Sequence, residues 1–282
     1  MNTVKSKFQL IQSRKSERNF SNQSIKNEEL EVMIKDINNF EGPFNESVRV
    51  ELIVKDKDLN SSDEKLGTYG VIKGAKYYLA AIANRNEQSL FELGYVVEKA
   101  ILYLLDKNLG TCWLGGTFQR GKFGEKVSFE QGEYLPIIIP FGYSKGKQSI
   151  TDKVVRLVAS SDKRKPWSEI FFSETLDKPL SQDMAGKYES ALEAVRLAPS
   201  ASNKQPWRVI KTAIGFEFYL KPTQGYSDKL SFNIQEVDIG IAMAHFELVV
   251  KEEFKEGIWE INKGDSSKSK SELVHVATWK TN

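Results

Sequence analysis

The sequence predicts an α+β protein with an internal duplication, on two observations. Apolar runs of strand length, several rich in β-branched residues, are interspersed with apolar-periodic segments of helix length. Two long helical stretches, far apart in the chain, also repeat the same order of parts.

Taken in order, two helices are expected within residues 6–40. Lys7 to Gln12 shows an apolar face of Phe8, Leu10 and Ile11, and Lys26 to Asn38 one of Leu30, Val32, Met33, Ile34 and Ile37. VRVELIVK (48–55) reads as a strand by its β-branched content. A polar, Gly-containing stretch from Asp56 to Lys73 separates it from KYYLAAIA (76–83), a buried strand. Phe91 to Leu109 is a helix ended by Gly110, and TCWLGGTF follows at once. YLPIIIPFGY (134–143) is apolar enough for a central strand, with Pro136 and Pro140 expected at its margins.

Residues 144–186 are polar apart from Val154 to Val158 and Ile170 to Phe172, and read as a long crossing connection. Trp207–Thr212 and Gly215–Lys221 form a hairpin, Gln235 to Phe254 a long helix, and Gly257 to Asn262 and Leu273 to Trp279 closing strands. The expected division is a first half over residues 1–160, the crossing connection over 161–186 and a second half over 187–282.

Composition removes several classes of function. The chain has 282 residues, 40% of them hydrophobic, and a net charge of +2, which does not suit a dedicated nucleic-acid binder. Charged residues interrupt the most apolar helix, so no membrane span is expected. One cysteine, Cys112, excludes an internal disulfide, and the N-terminal stretch has no apolar signal region; cytoplasm is the expected compartment. With two histidines, His245 and His275, thirty positions apart, no His/Cys metal cluster can form. His245 reads as a packed helix residue. Any redox or group-transfer chemistry then falls to an organic cofactor.

Three stretches could receive one. LAPSASNKQPWRVI (197–210) leaves a helix at Pro199, passes three small residues, Asn203 and Gln205, and enters a strand after Pro206. Pro206 is expected to keep Gln205 extended. The stretch suits a shelf for a flat polar ligand, or an ordinary helix-to-strand connection. Arg14, Lys15 and Arg18 around Ser13 and Ser16 suit a phosphate, or a solvated basic turn. Gly115 and Gly116 permit close approach of a ligand to backbone N–H groups, or simply a tight turn. Lys163, Arg164 and Lys165 form a second basic knot.

The repeat pairs Glu92–Gly116 with Val237–Ile261. Each begins acid–apolar–Gly, continues as an apolar helix, and has a Gly and a Trp shortly after its end. Repeats of this span suggest a fused dimer rather than a solenoid.

Together, SRKSERNF, APSASNKQPWRVI, ELGYVVEKAILYLLDKNLGTCWLGG and KRKPWSEIF resemble the FMN-dependent nitroreductase family. The resemblance implies a nitroreductase-like fold of mixed, mostly antiparallel sheets flanked by helices. The Pro-Ser motif comes only after residue 198, and the second half lacks the N-terminal basic motif. That order is similar to the subgroup in which two half-sized copies are fused, so that a monomer acts as a pseudo-dimer with one flavin site.

By resemblance, Arg14, Lys15, Ser16 and Arg18 would meet the FMN phosphate and ribityl chain, and Arg164 would close on the phosphate. Pro199, Ser200, Ala201 and Asn203 would line the isoalloxazine, while Leu114, Gly115 and Gly116 would lie near flavin N5. At Gly115 the family often has an acid instead. Tyr69 and Gly70 would add a ring contact. The family's chemistry moves a hydride from NAD(P)H to flavin N5 and then electrons to a nitroaromatic, quinone or similar acceptor, with no catalytic side chain and no metal. Two alternatives stand beside it: a flavin-dependent dehalogenase or dehydrogenase acting on a specific metabolite, and a non-catalytic descendant serving as a binding or scaffold protein.

Overall fold

A computed structural model describes residues 5–55, 68–146, 163–228, 230–262 and 272–281. The apolar run Val154 to Val158 lies outside them, as does Gly67. The helices are α1 (Lys7–Ser13), α2 (Asn27–Asn38), α3 (Ser89–Asp106), α4 (Arg120–Gly124), α5 (Trp167–Ile170), α6 (Gln182–Ala185), α7 (Glu189–Leu197) and α8 (Ile234–Glu253). The strands are β1 (Val48–Val54), β2 (Tyr77–Asn84), β3 (Gly110–Thr111), β4 (Glu133–Gly142), β5 (Phe171–Ser173), β6 (Thr175–Pro179), β7 (Trp207–Thr212), β8 (Gly215–Leu220), β9 (Ile258–Ile261) and β10 (Val274–Lys280). The chain forms two compact units, residues 14–89 with 99–160, and residues 1–13 with 90–98 and 161–282.

The first unit holds a four-stranded antiparallel sheet in the order β1-β2-β4-β3. Strand β2 is buried along nearly its whole length, as its unbroken apolar run requires, and Tyr78, Phe118 and Phe123 pack edge to face beside it. Pro136 and Pro140 lie inside β4 rather than at its margins. The ladder is arranged around them. Thr111 pairs with Phe141 and Leu114 with Ile138, and Pro140, which has no N–H to offer, falls in the gap between those pairs, where its carbonyl accepts from Cys112 N at 3.2 Å.

Helix α3 ends before Gly110. Its cap is Asn108, in the left-handed region at φ 61°, with Leu109 N donating to Leu104 O at 3.0 Å. Gly110 serves another purpose: a Cβ there would come within 2.7 Å of Glu17 Cβ.

The second unit holds a six-stranded sheet, β6-β5-β7-β8-β10-β9, in which only the β5–β7 pairing is parallel. The connection read as polar therefore supplies two strands, β5 and β6, at the β7 side of this sheet. Phe216, Phe218, Phe246, Trp259 and Trp279 form its aromatic core, with neighbouring centroids 5.0–6.1 Å apart. Helix α8 is apolar nearly all round and is buried on most of its faces.

The N-terminal part of α3, also in this unit, crosses α8 through glycines. A Cβ at Gly94 would lie 2.1 Å from Val237 O, and one at Gly240 would lie 2.0 Å from Phe91 O. The contacts are reciprocal, because Phe91 precedes Gly94 as Val237 precedes Gly240, by three residues. Beyond the helices, the order β1-β2-β4-β3 recurs as β7-β8-β10-β9. In both cases a helix, α2 or α7, ends ten residues before the first of these strands.

Candidate functional site

The N-terminal basic segment is an extended ribbon. Ser16 bridges Thr111, Glu17 N donates to Thr111 O at 2.7 Å, Lys73 N to Arg18 O at 2.8 Å and Phe20 N to Lys73 O at 2.9 Å. Extended backbone alternates its side chains between two faces. Glu17 takes the inner face, is 8% exposed, bonds to Asn19 N at 3.0 Å and accepts from Ser144 Oγ. Arg14, Ser16 and Arg18 share the other face, each half-buried, and Lys15 is exposed. Two guanidinium groups and a hydroxyl in one row are the donor set a phosphate ester needs.

The Gly-Gly turn belongs to the same unit. Thr111, the partner of Ser16, stands three residues before Leu114. Leu114 N donates to Ile138 O at 3.1 Å and receives Ile138 N in return at 3.0 Å, so its amide is committed to the sheet. The turn continues through Gly115, buried, and Gly116, exposed. A residue that sequence reasoning missed fixes this turn. Arg120, at the start of α4, donates to Gly115 O and, at 3.2 Å, to Pro136 O, with its guanidinium 4.8 Å from the Phe118 ring. Desolvation lowers its pKa. Tyr69 and Gly70 form an exposed turn with φ of 48° and 74°.

In the second unit, the Pro-Ser loop follows α7, and its backbone departs from the expectation drawn from Pro206. Gln205 has φ 49°, not an extended value, and Ser202 (46°) and Asn203 (54°) are also left-handed. Positive φ in non-glycine residues is costly, so tertiary bonds must hold it. Gln205 N donates to Ser200 Oγ at 2.9 Å, and Gln205 Nε2 to Asn203 O and Oδ1, both at 3.1 Å. Gln205 Oε1 accepts from Lys165 N at 2.8 Å. These bonds override the local preference of a residue before proline.

Arg164 is part of the same network. It donates to Asn203 Oδ1 at 3.2 Å and Leu197 O at 3.1 Å, while Asn203 Nδ2 reaches Lys163 O at 2.7 Å. The second basic knot and the Pro-Ser loop are thus neighbours in this unit. Pro199, Ser200, Ala201 and Asn203 are each partly exposed. Asp238 of α8 accepts from Ala201 N at 2.9 Å and is 2% exposed. Burial pushes its carboxyl up to about 8, the Ala201 bond opposing, and burial likewise pushes Glu236 up to about 7.

His245 is wholly buried. Its Nδ1 lies 2.8 Å from Ala194 O and its Nε2 2.8 Å from Glu98 Oε1, which is equally buried. It is a packed helix residue, committed at both nitrogens. Among the described residues no cluster of His, Cys, Asp and Glu could hold a metal ion, and no helix is long and apolar enough to cross a membrane.

The sequence matches the family model described as "Putative TM nitroreductase" over residues 7–250. Among solved structures, it is similar to one described as a putative nitroreductase from Thermotoga maritima MSB8. The two share 21% identity and a TM-score of 0.63, over 100% of this chain and 96% of that one. An FMN-dependent nitroreductase from Clostridium difficile R20291 is 15% identical, with TM-score 0.41, over 50% of this chain and 88% of that one. A nitroreductase family protein from Clostridium difficile 630 is 17% identical, with TM-score 0.41, over 60% and 96%. No curated protein matches. The likeness over the whole chain shows a nitroreductase-like α+β fold.

Proposed function

The chain belongs to the "Putative TM nitroreductase" family, and on that premise we propose that it is an FMN-dependent NAD(P)H oxidoreductase of nitroreductase type. The observation that carries the proposal lies in one unit. Ser16 of the row Arg14–Ser16–Arg18 pairs with Thr111, and the Gly115–Gly116 turn follows on the same strand path. Cations for a phosphate and backbone N–H groups for a ring edge thus come from segments about a hundred residues apart in sequence and are joined by one sheet.

Arg14, Lys15, Ser16 and Arg18 would hold the phosphate and ribityl chain. The amides of Gly115 and Gly116 would face flavin N5; Leu114, whose amide is committed to Ile138, would contribute its place beside them. In the second unit Arg164 would meet the phosphate, and Pro199, Ser200, Ala201 and Asn203 would line the isoalloxazine. When bound, FMN supplies the redox chemistry, taking a hydride from NAD(P)H and giving electrons to a nitroaromatic or quinone. The chain contributes position and electrostatics: fixed cations, aimed amides and a loop already held in one shape. No acid–base side chain is required, in keeping with His245 being bonded at both nitrogens.

We further propose that the two repeats, with the 161–186 connection between them, arose by tandem duplication, that a single chain acts as a pseudo-dimer and that it binds one FMN. The recurring strand order and the reciprocal glycine contacts support the duplication.

The purified chain should be yellow, bind one FMN per chain, and lose its flavin absorbance on addition of NADH or NADPH. Arg14→Ala with Arg164→Ala should weaken FMN binding by about two orders of magnitude, and should lower Tm through the two bonds Arg164 makes to Asn203 Oδ1 and Leu197 O. A colourless chain that takes up no added FMN would defeat the proposal, and two FMN per chain would defeat the one-site duplication.

A further inference from the structure

The left-handed residues of the Pro-Ser loop raise the question of what holds the loop to the body of its unit. Gln205 N with Ser200 Oγ, Asn203 N with Ser200 O (3.0 Å) and Lys204 N with Ala201 O (3.2 Å) all bond within the loop. Arg164 and Lys163 bond it to another irregular segment. A different kind of attachment comes from α8, a helix of 20 residues buried on most of its faces. There Asp238 Oδ1 accepts Ala201 N at 2.9 Å, at the start of the 3₁₀ turn Ala201–Asn203 that carries Ser202 and Asn203 at positive φ.

The Asp238 side chain has no role in the packing of an apolar core. It is 2% exposed, and its Oδ2 is buried without a hydrogen-bond partner among the described residues. A buried carboxyl with one oxygen unsatisfied is costly. That cost is offset only if the other oxygen does something the fold needs. Burial raises the carboxyl to about 8, which keeps it neutral near pH 7, so an Asn side chain reproduces both its charge and its acceptor.

We propose that Asp238 is a positioning residue, which through the Ala201 amide sets the shape of the Pro199–Asn203 loop and so the loop's grip on FMN. The proposal rests on the FMN assignment above and adds to it a side chain that touches no ligand.

The test compares FMN titrations and Ala201 amide exchange in the full chain for wild type, Asp238→Asn, Asp238→Ala and Ala201→Pro. Ser200 before the Ala201 site is extended (φ −146°, ψ 158°), as a residue before proline must be, and proline there deletes the N–H and sets its Cδ against the Asp238 carboxyl, which must turn away. Asp238→Asn should bind FMN within about threefold of wild type and keep the Ala201 amide protected. Asp238→Ala and Ala201→Pro should each weaken FMN at least tenfold, and combining them should add little to either alone, as for two ends of one bond. Asp238→Ala should also expose the Ala201 amide to exchange.

Unchanged FMN affinity in folded Asp238→Ala or in Ala201→Pro overturns the proposal, as does a tenfold loss in folded Asp238→Asn. Should Asp238→Ala fail to fold, Asp238→Asn and Ala201→Pro decide alone. A wild-type chain that binds no FMN overturns the functional assignment itself, and is distinguished by appearing before any substitution is made.

Discussion

Two loops occupy the same topological place in the two repeats and are built on different principles. Each joins a helix to the first strand of its repeat, α2 to β1 and α7 to β7, across nine residues. In the first, Phe44 is buried, Asn45 alone has positive φ, and Asn38 of α2 exchanges two hydrogen bonds with Val50 of β1, at 2.8 and 2.9 Å. In the second, three residues have positive φ, and Ser200, Asn203, Gln205, Arg164 and Asp238 hold them through polar bonds. The first loop is a connector closed by its ends. The second stores strain and surrounds it with hydrogen bonds, which is how backbone is kept where a ligand must be met. The same place in a recurring strand order thus holds two loops of unlike construction.

The repeated helices differ in the same spirit, and the largest effect is expected there. Glu98 of α3 and His245 of α8 are wholly buried against one another. Glu98→Ala should lower the unfolding free energy by about 3–5 kcal/mol, because one half of a buried pair is left alone. Glu98→Gln should cost far less, since the amide can donate to Nε2 while Nδ1 donates to Ala194 O. Urea denaturation separates the two, and equal losses would mean the pair contributes only volume.

Within the loops, Gln205→Ala should cost about 2 kcal/mol by leaving buried partners unsatisfied, whereas Asn45→Ala should stay within about 0.5 kcal/mol. Comparable costs in thermal melts would erase the distinction drawn above. FMN affinity should fall with Gln205→Ala and not with Asn45→Ala.

The first unit places its polar bracing at the Gly-Gly turn instead. Arg120→Ala should cost about 1–2 kcal/mol, through the two carbonyls it releases, and should weaken FMN binding several-fold while leaving the Arg14 row in place. A variant that loses stability but keeps full FMN affinity would remove Arg120 from the site's supports.

The last effect is a slope with pH. With Asp238 near 8 in the folded chain against 3.8 ordinarily, the folded state binds more protons between these values. Its contribution to stability is therefore complete below the ordinary value, declines as pH rises toward about 8, and changes no further beyond. The decline from Asp238 cannot exceed about 1.4 kcal/mol per pH unit, and the half-buried Glu236 adds to it up to about 7. Urea midpoints across this range should fall more steeply in wild type than in Asp238→Asn; parallel curves would place the Asp238 carboxyl near its ordinary value.

Much of the fold could be read from the residues alone, because patterns of apolar residues are local. The strand KYYLAAIA, the hairpin after Trp207 and the helix carrying His245 all appear within a residue or two of their expected bounds. What escaped was set by distant partners. Gly110 looked like a cap because it follows a helix, yet Asn108 caps it and Gly110 makes room for Glu17. Gln205 looked extended because it precedes a proline, yet side-chain bonds hold it at φ 49°. Strand β6 looked like connection because TLDKP carries little apolar surface; four of its five residues are exposed. Of the site, residue types and motif order pointed to the Arg14 row, the Gly-Gly turn and the Pro-Ser loop. Arg120 and Asp238 carried no such mark, since nothing in the sequence tells which carbonyl or amide a lone Arg or Asp will reach.

Helix α3 sets a limit on how this chain can be divided. Its residues 90–98 are counted with one unit and the rest of the helix with the other, and Gly94 already meets the backbone of α8. The two repeats therefore cannot be divided by scissors. A cut anywhere in the 161–186 connection leaves a fragment whose longest helix has lost the partner for its first turns, and a complement whose α8 has lost Phe91 and Gly94. Supplied together the pieces have reason to find each other; supplied singly, neither is a smaller version of the whole.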